Sequence, residues 1–302
     1  MIYTLTLNPA LDIEYTVNRL DFDEVLRAST VRINYGGKGF NVSRMLASLG
    51  GSSVALGFIG GETGRTIQNG LSVAGIETAF VEVSEETRTN VSIVSETERH
   101  YIKVNEPGPT ISAREVAALM EMIDGKVHPG DWWVLAGSLP PGVTDDLYAS
   151  IIRKVQQGGA FALLDTSGSS LRAGILANPY LIKPNLKEVG DIIKREVQSL
   201  VEMEAALSEL HASGVKMVLV SAGKQGALLS DGNNHWVRQA PVIQERNPIG
   251  AGDAMVAGLV WRLSQNDDPQ NALAWAIACG TAAASLPGTD MPAKAQVEEF
   301  LT

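Results

Sequence analysis

Short apolar runs that alternate with helix-like stretches constrain the fold of this chain more than any other feature. Most of the runs are apolar throughout, which is typical of strands that are covered on both faces of a sheet. Strands are predicted at residues 2–7, 54–59, 132–136, 161–165, 180–183 and 217–221. Helices are predicted between them, from the spacing of apolar residues, at 40–49, 113–123, 147–156 and 201–212. This alternation predicts an α/β fold with a mostly parallel central sheet and right-handed crossovers.

Two of the predicted helices have a starting signal. Ser112 with Glu115, and Ser199 with Glu202, have the spacing of a capping box, in which each residue bonds the backbone amide of the other. Both pairs favour helix starts at these positions.

Two polar, β-branched stretches break the alternation, at about residues 12–36 and 87–105. They are strand-like, and neither has a helical pattern between the strands that it suggests. We interpret them as a small antiparallel β lid inserted into one domain that spans residues 1–302. Such a lid serves either to exclude water from a reaction or to form a dimer surface.

Composition argues against several classes of protein. The net charge of -10 is unfavourable for broad nucleic-acid binding and provides no global attraction for anionic ligands. Apolar stretches end well before the roughly 18 residues of a membrane span, and no signal-like segment is found. We therefore expect no membrane partner and cytoplasmic residence. The single cysteine, Cys279, is expected to be a buried structural thiol, and the 4 histidines lack metal-ligand spacing.

A glycine-rich turn lies near the carboxyl end, where the sequence NPIGAGD at 247–253 runs into an apolar helical pattern. Gly250 and Gly252 allow the backbone to approach an anion, and the first amides and the dipole of a helix favour negative charge. Asp253 is then placed to accept a proton from a hydroxyl group. The alternative is a tight turn that ends in an N-cap Asp and has no chemistry.

A second glycine cluster, GGKG at 36–39, also opens a helical pattern. Two turns that suit anions predict two phosphorylated ligands. The chain has no Gly-x-x-x-x-Gly-Lys-Ser/Thr motif, and Met255 stands where a dinucleotide fingerprint after Gly250 needs its third glycine. A nucleotide must therefore be held in another way.

A series of short motifs follows one order along nearly the whole chain. The motifs are LNPALD at 7–12, GGKGFNV at 36–42, TRTNV at 87–91, NEPGP at 105–109, GSLPPG at 137–142, KPNLKE at 183–188 and GAGD at 250–253. Together they resemble the phosphofructokinase B family of the ribokinase-like superfamily, especially its branch of 1-phosphofructokinases and tagatose-6-phosphate kinases. The resemblance implies a three-layer α/β/α fold with a β lid and a kinase that uses ATP and Mg²⁺.

The resemblance also implies roles for individual residues. Asp253 is expected to be the catalytic base, and the backbone of Gly250, Ala251 and Gly252 is expected to form an anion hole for the transferring phosphoryl group. A carboxylate beside backbone donors suits this chemistry, because the donors stabilise charge that grows during transfer.

On the acceptor side, the resemblance places one set of residues on the sugar hydroxyls and another near the phosphate that the sugar already carries. The hydroxyl set is Asp12, Gly37 and Asn41, and the phosphate set is Lys38, Arg88, Asn90, Lys103 and Ser138. Carboxylates for hydroxyls and cations for phosphate are the expected division. Asp12 as a plain turn residue and Arg88 as a solvated strand charge remain alternatives.

On the donor side, the residues implied to hold ATP are Lys183, Asn185, Ser221, Gly223 and Gly226. Glu188 is implied to support Mg²⁺ through water, which fits an ion that keeps much of its hydration. The alternative for Glu188 is an acid at a helix start that interacts with the helix dipole.

Three departures from the family pattern bear on the substrate. Ala254 replaces the usual Ser after the catalytic Asp, and Pro248 is typical of the tagatose-6-phosphate kinase branch. Lys103 stands where the 1-phosphofructokinase branch has an acid and the 6-phosphofructokinase branch has a basic residue, whereas Lys38 and the NEPGP motif resemble the 1-phosphate branch.

We predict phosphorylation of the free primary hydroxyl of a ketohexose phosphate, with fructose 1-phosphate giving fructose 1,6-bisphosphate. The alternatives are a 6-phosphofructokinase, a tagatose-6-phosphate kinase and, in another class, a non-catalytic sugar-phosphate sensor. The missing fingerprint argues against a NAD-dependent dehydrogenase. The small-molecule partners are thus a sugar phosphate and ATP, and a homodimer through the β lid is expected because exposed strand edges favour pairing.

Overall fold

The computed structural model describes residues 1–98, 100–197 and 200–301. Arg99, inside the predicted lid, and Ser199, predicted to cap a helix, lie outside these ranges. The strands are β1 (Ile2–Thr6), β2 (Ala10–Val17), β3 (Ala28–Gly36), β4 (Val54–Ile59), β5 (Glu77–Glu82), β6 (Arg88–Ser95), β7 (Tyr101–Asn105), β8 (Trp132–Ala136), β9 (Phe161–Asp165), β10 (Leu181–Ile182), β11 (Met217–Ser221), β12 (Ala227–Ser230) and β13 (His235–Arg238).

Helices connect most of these strands. They are α1 (Lys38–Ser48), α2 (Gly61–Val73), α3 (Ala113–Asp124), α4 (Leu147–Gln157), α5 (Gly168–Ile175), α6 (Leu186–Ile193), α7 (Leu200–Ala212), α8 (Ala251–Leu263), α9 (Pro269–Ala284) and α10 (Lys294–Glu298). The capping box predicted at Ser112 and Glu115 is present at the start of α3, with both reciprocal hydrogen bonds.

The main sheet has nine strands within the described ranges, in the order β13-β12-β11-β10-β9-β8-β1-β4-β5. Every pairing from β5 to β11 is parallel, and β12 and β13 add an antiparallel edge. The predicted mostly parallel sheet is confirmed. Thr6 pairs with Ala136, and Ala136 with Asp165, so the carboxyl ends of β1, β8 and β9 lie side by side. Ligands of open α/β sheets bind outside this edge.

Helices cover both faces of the main sheet. Successive strand residues point to opposite faces, and in β8 Trp133 enters one core whereas Val134 enters the other. Ile152 of α4 packs in the first core, and Val256 of α8 packs in the second. The structure therefore has the expected three-layer α/β/α arrangement.

The sequence analysis missed α2 and β5, which follow β4 at one side of the main sheet. Glycines at 61, 64 and 70 weaken the helical pattern of α2, because glycine disfavours a helix interior. Packing explains Gly70, since an added Cβ would lie 2.0 Å from the ring of Tyr35 in β3. Gly70, which weakens the helical pattern of the sequence, is therefore also the residue that allows the lid to contact α2.

The lid is a separate four-stranded sheet in the order β3-β2-β6-β7. The β2–β3 and β6–β7 pairs are antiparallel, as predicted, and a parallel β2–β6 pair joins them. Paired residues share a face of a sheet. One face is polar, with Asp12 opposite both Asn34 and Asn90, whereas the other face carries apolar residues such as Ile33 and Val104. These two apolar side chains are 54% and 60% exposed.

Two packed helices, α8 and α9, hold the glycine turn against the main sheet. A Cβ added at Gly258 would lie 2.6 Å from the Trp275 carbonyl oxygen and 2.8 Å from the Cys279 sulfur, so the helices approach closely there. Cys279 is buried, as predicted for a structural thiol, and burial raises its pKa. No described helix is long and apolar enough to cross a membrane.

Candidate active site

The glycine turn opens α8 at the carboxyl edge of the main sheet. Gly250 is the N-cap and has a φ of 85°, a left-handed conformation that favours glycine. The Ala251 amide donates to the Pro248 carbonyl at 3.2 Å, and the Ala254 amide donates to Gly250 at 2.9 Å. The amide of Gly252 precedes that first helical bond, so it is available to an anion at the helix start.

Asp253 lies in the first turn of α8 and is only 6% exposed. Its Oδ2 accepts a hydrogen bond of 2.8 Å from Asn41 Nδ2 on α1. Burial, and then the charge of Asp165, raise the pKa of Asp253 to about 6, although Lys38 and Lys183 act in the opposite direction. A carboxylate with this pKa is well matched to general-base chemistry near neutral pH.

Asp165 ends β9 and joins two lysines. Its Oδ1 lies 3.0 Å from the Lys38 Nζ and 3.4 Å from the Lys183 Nζ. Burial alone would raise the pKa of Asp165, but Lys183 and Lys38 outweigh it and hold that pKa below its usual range. Burial alone would lower the pKa of Lys38, but Asp165, then Asp253 and Glu188, raise it. Lys38 therefore stays charged beside two carboxylates.

Sequence reasoning placed Asp165 only at the end of a predicted strand. A signal was present, because a carboxylate that ends a buried apolar strand in a parallel sheet lies at the ligand-binding edge. Its connection to Lys38 depends on a contact between residues 127 positions apart.

Two predicted acceptor-site residues of the lid are in direct contact: Asp12, expected on the sugar hydroxyls, and Asn90, expected near the sugar's phosphate. Asn90 Nδ2 donates to Asp12 Oδ1 at 2.8 Å. Gly36 faces this pair, since an added Cβ would lie 2.1 Å from Asp12 Oδ2. The Oδ1 of Asn90 is buried and has no hydrogen-bond partner among the described residues. These polar atoms are suitable for a ligand with hydroxyl groups.

Arg88 is held at the base of the lid by backbone carbonyl groups. It donates to Asn8 at 2.8 Å, to Glu106 at 3.0 Å and to Pro9 at 3.3 Å. Asn8, which the sequence analysis did not assign to the site, also donates to the Pro107 carbonyl at 3.0 Å. The arginine therefore has a fixed orientation rather than the solvated position considered as an alternative.

Two of the predicted phosphate contacts lie at the periphery. Lys103 is exposed on the outer strand β7, opposite Ser92 and two residues from Asn105, which pairs with Asn90. Ser138 is exposed in the loop after Gly137. A Cβ added at Gly137 would contact the Lys38 side chain at 4.0 Å. This loop therefore borders the charged cluster, which consists of Lys38, Asp165 and Lys183.

A cavity of about 490 Å³ lies on the other side of the glycine turn. Three predicted ATP contacts, Ser221, Gly223 and Gly226, line it together with Ala251 and Gly252 of the turn. Further lining residues are mainly apolar and include Val242, Ile243, Met255 and Ile277. This size and character suit a nucleoside.

Lys183 and Asn185 join the cavity to the charged cluster. A Cβ added at Gly252 would lie 3.5 Å from Lys183 Nζ, so this ammonium group is next to the turn. The backbone of Asn185 forms a parallel bridge with Ser221 at the cavity wall. Lys183 therefore lies next to the glycine turn, and Asn185 lies next to a residue of the cavity wall.

Glu188 forms a capping box with Asn185 at the start of α6. Asn185 Oδ1 accepts from the Glu188 amide at 2.9 Å, and Glu188 Oε2 accepts from the Asn185 amide at 2.8 Å. The helix-start role considered for Glu188 is thus present, and its charge also acts on Lys38. Among the described residues, no group of three or more His, Cys, Asp or Glu side chains is arranged to hold a metal ion.

The residue after Asp253 is fully buried. Ala254 is 0% exposed and packs in the core beneath the turn, with residues such as Leu46 and Ala278. A serine here would bring a hydroxyl group into an apolar core, where it needs a hydrogen-bond partner.

A base-like carboxylate beside an anion-binding helix start, with a polar lid on one side and a nucleoside-sized cavity on the other, defines a phosphotransferase that acts on a sugar hydroxyl. Sequence comparison gives the family: the chain belongs to the pfkB family of carbohydrate kinases, whose sequence model matches residues 6–296.

Solved structures with the same fold agree. Phosphofructokinase-2 from Escherichia coli is 31% identical, with 99% of this chain and 97% of that chain covered and a TM-score of 0.94. The same enzyme has been solved in complex with fructose-6-phosphate. A possible 1-phosphofructokinase from Thermotoga maritima is 27% identical, with coverage of 100% and 97% and a TM-score of 0.88. Ribokinase from Arabidopsis thaliana, at 20% identity, coverage of 100% and 98% and a TM-score of 0.80, shares the fold.

Proposed function

We propose that this protein transfers the terminal phosphoryl group of ATP to the free primary hydroxyl of a ketohexose phosphate, and that its preferred reaction converts fructose 1-phosphate to fructose 1,6-bisphosphate. The observation that carries the proposal is the buried Asp253, whose pKa is raised to about 6 beside the glycine turn. A protein that only binds sugar phosphate has no need of a carboxylate tuned in this way.

In this mechanism, Asp253 accepts the proton of the sugar hydroxyl while the hydroxyl oxygen forms a bond to the γ-phosphorus of ATP. The bond between that phosphorus and the bridging oxygen breaks, and ADP leaves with the bond electrons. The backbone of Gly250, Ala251 and Gly252 forms the anion hole, in which the Gly252 amide and the Lys183 ammonium stabilise the growing charge. Asn41 orients the base through its 2.8 Å hydrogen bond.

The acceptor is proposed to bind under the lid. Asp12, Gly37 and Asn41 contact the sugar hydroxyls in this proposal. The phosphate that the sugar already carries is bound by cationic and polar groups, which are Lys38, Arg88, Asn90, Lys103 and Ser138. Support comes from the Asp12–Asn90 pair, whose polar atoms face one side of the lid.

ATP is proposed to bind with its base and ribose in the 490 Å³ cavity and its phosphates along Lys183, Asn185 and the glycine turn. Glu188 fits an Mg²⁺ ion held through water, because the capping box uses Oε2 and Oε1 has no hydrogen-bond partner among the described residues. The absence of a cage of ligands in the described ranges also suits Mg²⁺, which binds one or two carboxylates, waters and substrate phosphates. When bound, the ion would neutralise phosphate charge.

The choice between fructose 1-phosphate and fructose 6-phosphate depends on which cations meet the acceptor phosphate. Lys38 supports fructose 1-phosphate for two reasons. A lysine at this position resembles the 1-phosphofructokinase branch, and Lys38 lies in the charged cluster with Asp165. Lys103 supports a 6-phosphate, but it is exposed on the outer lid strand. A kinase of 6-phosphates, acting on fructose 6-phosphate or tagatose 6-phosphate, is the second candidate, because the E. coli enzyme has been solved with fructose-6-phosphate.

A coupled assay of ADP release tests the proposal. The panel contains fructose 1-phosphate, fructose 6-phosphate, tagatose 6-phosphate, fructose and ribose, each with ATP and Mg²⁺. We expect the highest kcat/KM for fructose 1-phosphate. A higher value for a 6-phosphate would change the substrate, and preference for an unphosphorylated sugar would exclude a phosphosugar kinase.

We also propose a homodimer that pairs the apolar faces of two lids. Ile33 and Val104 belong to that face and are 54% and 60% exposed. Contiguous exposed apolar surface is typical of protein interfaces, and a second copy of the same face satisfies two-fold symmetry.

A further inference from the structure

Asp165 brings together groups from three separate segments of the chain. It is the last residue of β9, Lys38 is the first residue of α1, and Lys183 directly follows β10. The Lys183 amide also donates to the Leu164 carbonyl at 3.1 Å, so the backbones beside the cluster are joined as well. The carboxylate is thus the shared partner of two ammonium groups that approach from different sides.

The geometry of this contact is unusual for a simple ion pair. Both lysines lie near the same oxygen, Oδ1, at 3.0 Å and 3.4 Å, and Oδ2 is buried without a hydrogen-bond partner among the described residues. The Asp165 side chain is 1% exposed and that of Lys183 is 7% exposed. Buried charges interact strongly because water screens them little, so Asp165 strongly constrains the Lys183 ammonium group. The Lys38 side chain is 40% exposed, but it makes the shorter contact with the same oxygen.

The two lysines border different parts of the proposed reaction. Lys183 Nζ lies near Gly252, on the side of the phosphoryl donor. Lys38 lies on α1, the helix that also carries Asn41, the hydrogen-bond partner of Asp253. A group that holds both lysines therefore sets the spacing between the donor side and the acceptor side.

We infer that Asp165 is a positioning residue for phosphoryl transfer, which holds Lys38 and Lys183 at a fixed separation around the reacting groups and sets the electrostatic environment of the base. The inference rests on the proposed function. Asp165 itself needs no contact with substrate, because it acts through the two ammonium groups and through its charge.

The charges that face Asp253 give this role a measurable signature. They are the carboxylate of Asp165, which raises the pKa of Asp253, and the ammonium groups of Lys38 and Lys183, which lower it. Wild-type kcat/KM is expected to fall below a pH of about 6, as Asp253 takes up a proton. Removal of the Asp165 charge lowers the pKa of Asp253, so activity then persists to lower pH.

The test compares Asp165→Asn with the wild type across pH. We expect kcat to fall about 10²-fold, the effect of misplacing groups around a reacting centre by about 1 Å. KM for ATP is expected not to rise, because two ammonium groups without their carboxylate attract phosphate more strongly. The acid limb of kcat/KM is expected to move to lower pH. Phosphate esters titrate at a pH of about 6 themselves, so the shift is measured between variants on one substrate.

Two further variants separate position from charge and from general damage. Asp165→Glu keeps the charge but moves the carboxylate, so kcat is expected to fall with the acid limb unchanged. Asp131→Asn is the matched control, since Asp131 is a buried carboxylate whose Oδ1 lies 2.9 Å from the amino-terminal ammonium group of Met1. It lies at the start of β8, at the opposite edge of the sheet, and its kcat and acid limb are expected to be those of the wild type.

Wild-type kcat in Asp165→Asn with an unmoved acid limb would overturn the inference while leaving the proposed kinase intact. An equal loss of kcat in Asp131→Asn would also overturn it, because the effect would then be general. If Asp165→Asn does not melt cooperatively, Asp165→Glu is used for the test instead. A kcat of Asp165→Glu equal to that of the wild type would then refute the positioning role. A wild-type protein that releases no ADP on the sugar-phosphate panel would instead refute the proposed function.

Discussion

The lid and the carboxyl edge of the main sheet both border the candidate site, but they hold their polar groups in different ways. In the lid, strand register alone places Asp12 beside Asn90. At the sheet edge, the contacts join distant segments: Asn41 and Asp253 are 212 positions apart. Asp12 and Asn90 are also 78 positions apart, so the difference is one of mechanism: the lid depends on the register of paired strands, whereas the edge depends on the packing of the whole core.

The two regions also differ in how strongly their charges act. Asp253 and Asp165 are 6% and 1% exposed, whereas every residue of β7 in the lid is exposed. Electrostatic interactions are strong in a buried environment and are screened by water and salt at a surface. This difference agrees with the proposal that the chemistry takes place at the sheet edge and that the lid binds the acceptor.

The largest effect is expected from the sheet edge, in Asp253→Asn. Loss of the general base should reduce kcat by about 10²–10⁴-fold, while sugar-phosphate binding measured by calorimetry is retained. Asp268→Asn is the control, because this Asp caps α9 and its amide replacement keeps an acceptor for the Asn271 amide. A wild-type kcat in Asp253→Asn would show that Asp253 is not the general base, and the reaction would then have to be placed away from this edge.

A smaller effect is expected from the lid, in Asp12→Ala. Loss of a charged hydrogen-bond acceptor costs about 1.5–3 kcal/mol, so KM for the sugar phosphate should rise by at least about tenfold with KM for ATP unchanged. Glu14→Ala provides the comparison, since Glu14 lies on the same face of β2, two residues farther along. A rise of KM for ATP alone in Asp12→Ala would contradict an acceptor-binding lid.

The other face of the lid is tested by Val104→Lys. A charge at the centre of an apolar interface is unfavourable, so the variant should be monomeric at concentrations where the wild type is a dimer, as measured by light scattering. Val73→Lys is the matched control on α2, because Val73 is 90% exposed and lies outside the lid. Dimers of Val104→Lys with wild-type stability would place any interface elsewhere.

The smallest effect is expected at the mouth of the cavity, in Lys224→Ala. Lys224 is 84% exposed and lies 3.7 Å from Glu245 across the lining of the cavity. Exposed ion pairs contribute about 0–1 kcal/mol, so KM for ATP should change by less than about fivefold. A much larger change would show that Lys224 contacts the nucleotide directly, which would extend the catalytic edge to this loop.

Local patterns predicted much of the main sheet. β1, β4, β8, β9 and β11 correspond to apolar runs, because a strand buried on both faces needs apolar residues at successive positions. The capping box of Ser112 and Glu115 was likewise predictable, since both partners lie within one helical turn. Helix α2 was missed because its Gly70 disfavours a helix. The glycine is explained by close packing against the Tyr35 ring of the lid, which no local pattern shows.

The site divides in the same way. The sequence by itself determined the glycine turn with Asp253 at a helix start, the alternation that builds a parallel sheet and the family motifs, since these are properties of neighbouring residues. Only the tertiary structure decided that Asp165 joins Lys38 to Lys183, that the pKa of Asp253 is raised and that β2 pairs parallel to β6. The physical reason is that burial and charge–charge distances arise when segments far apart in the chain pack together, and no local pattern encodes those distances.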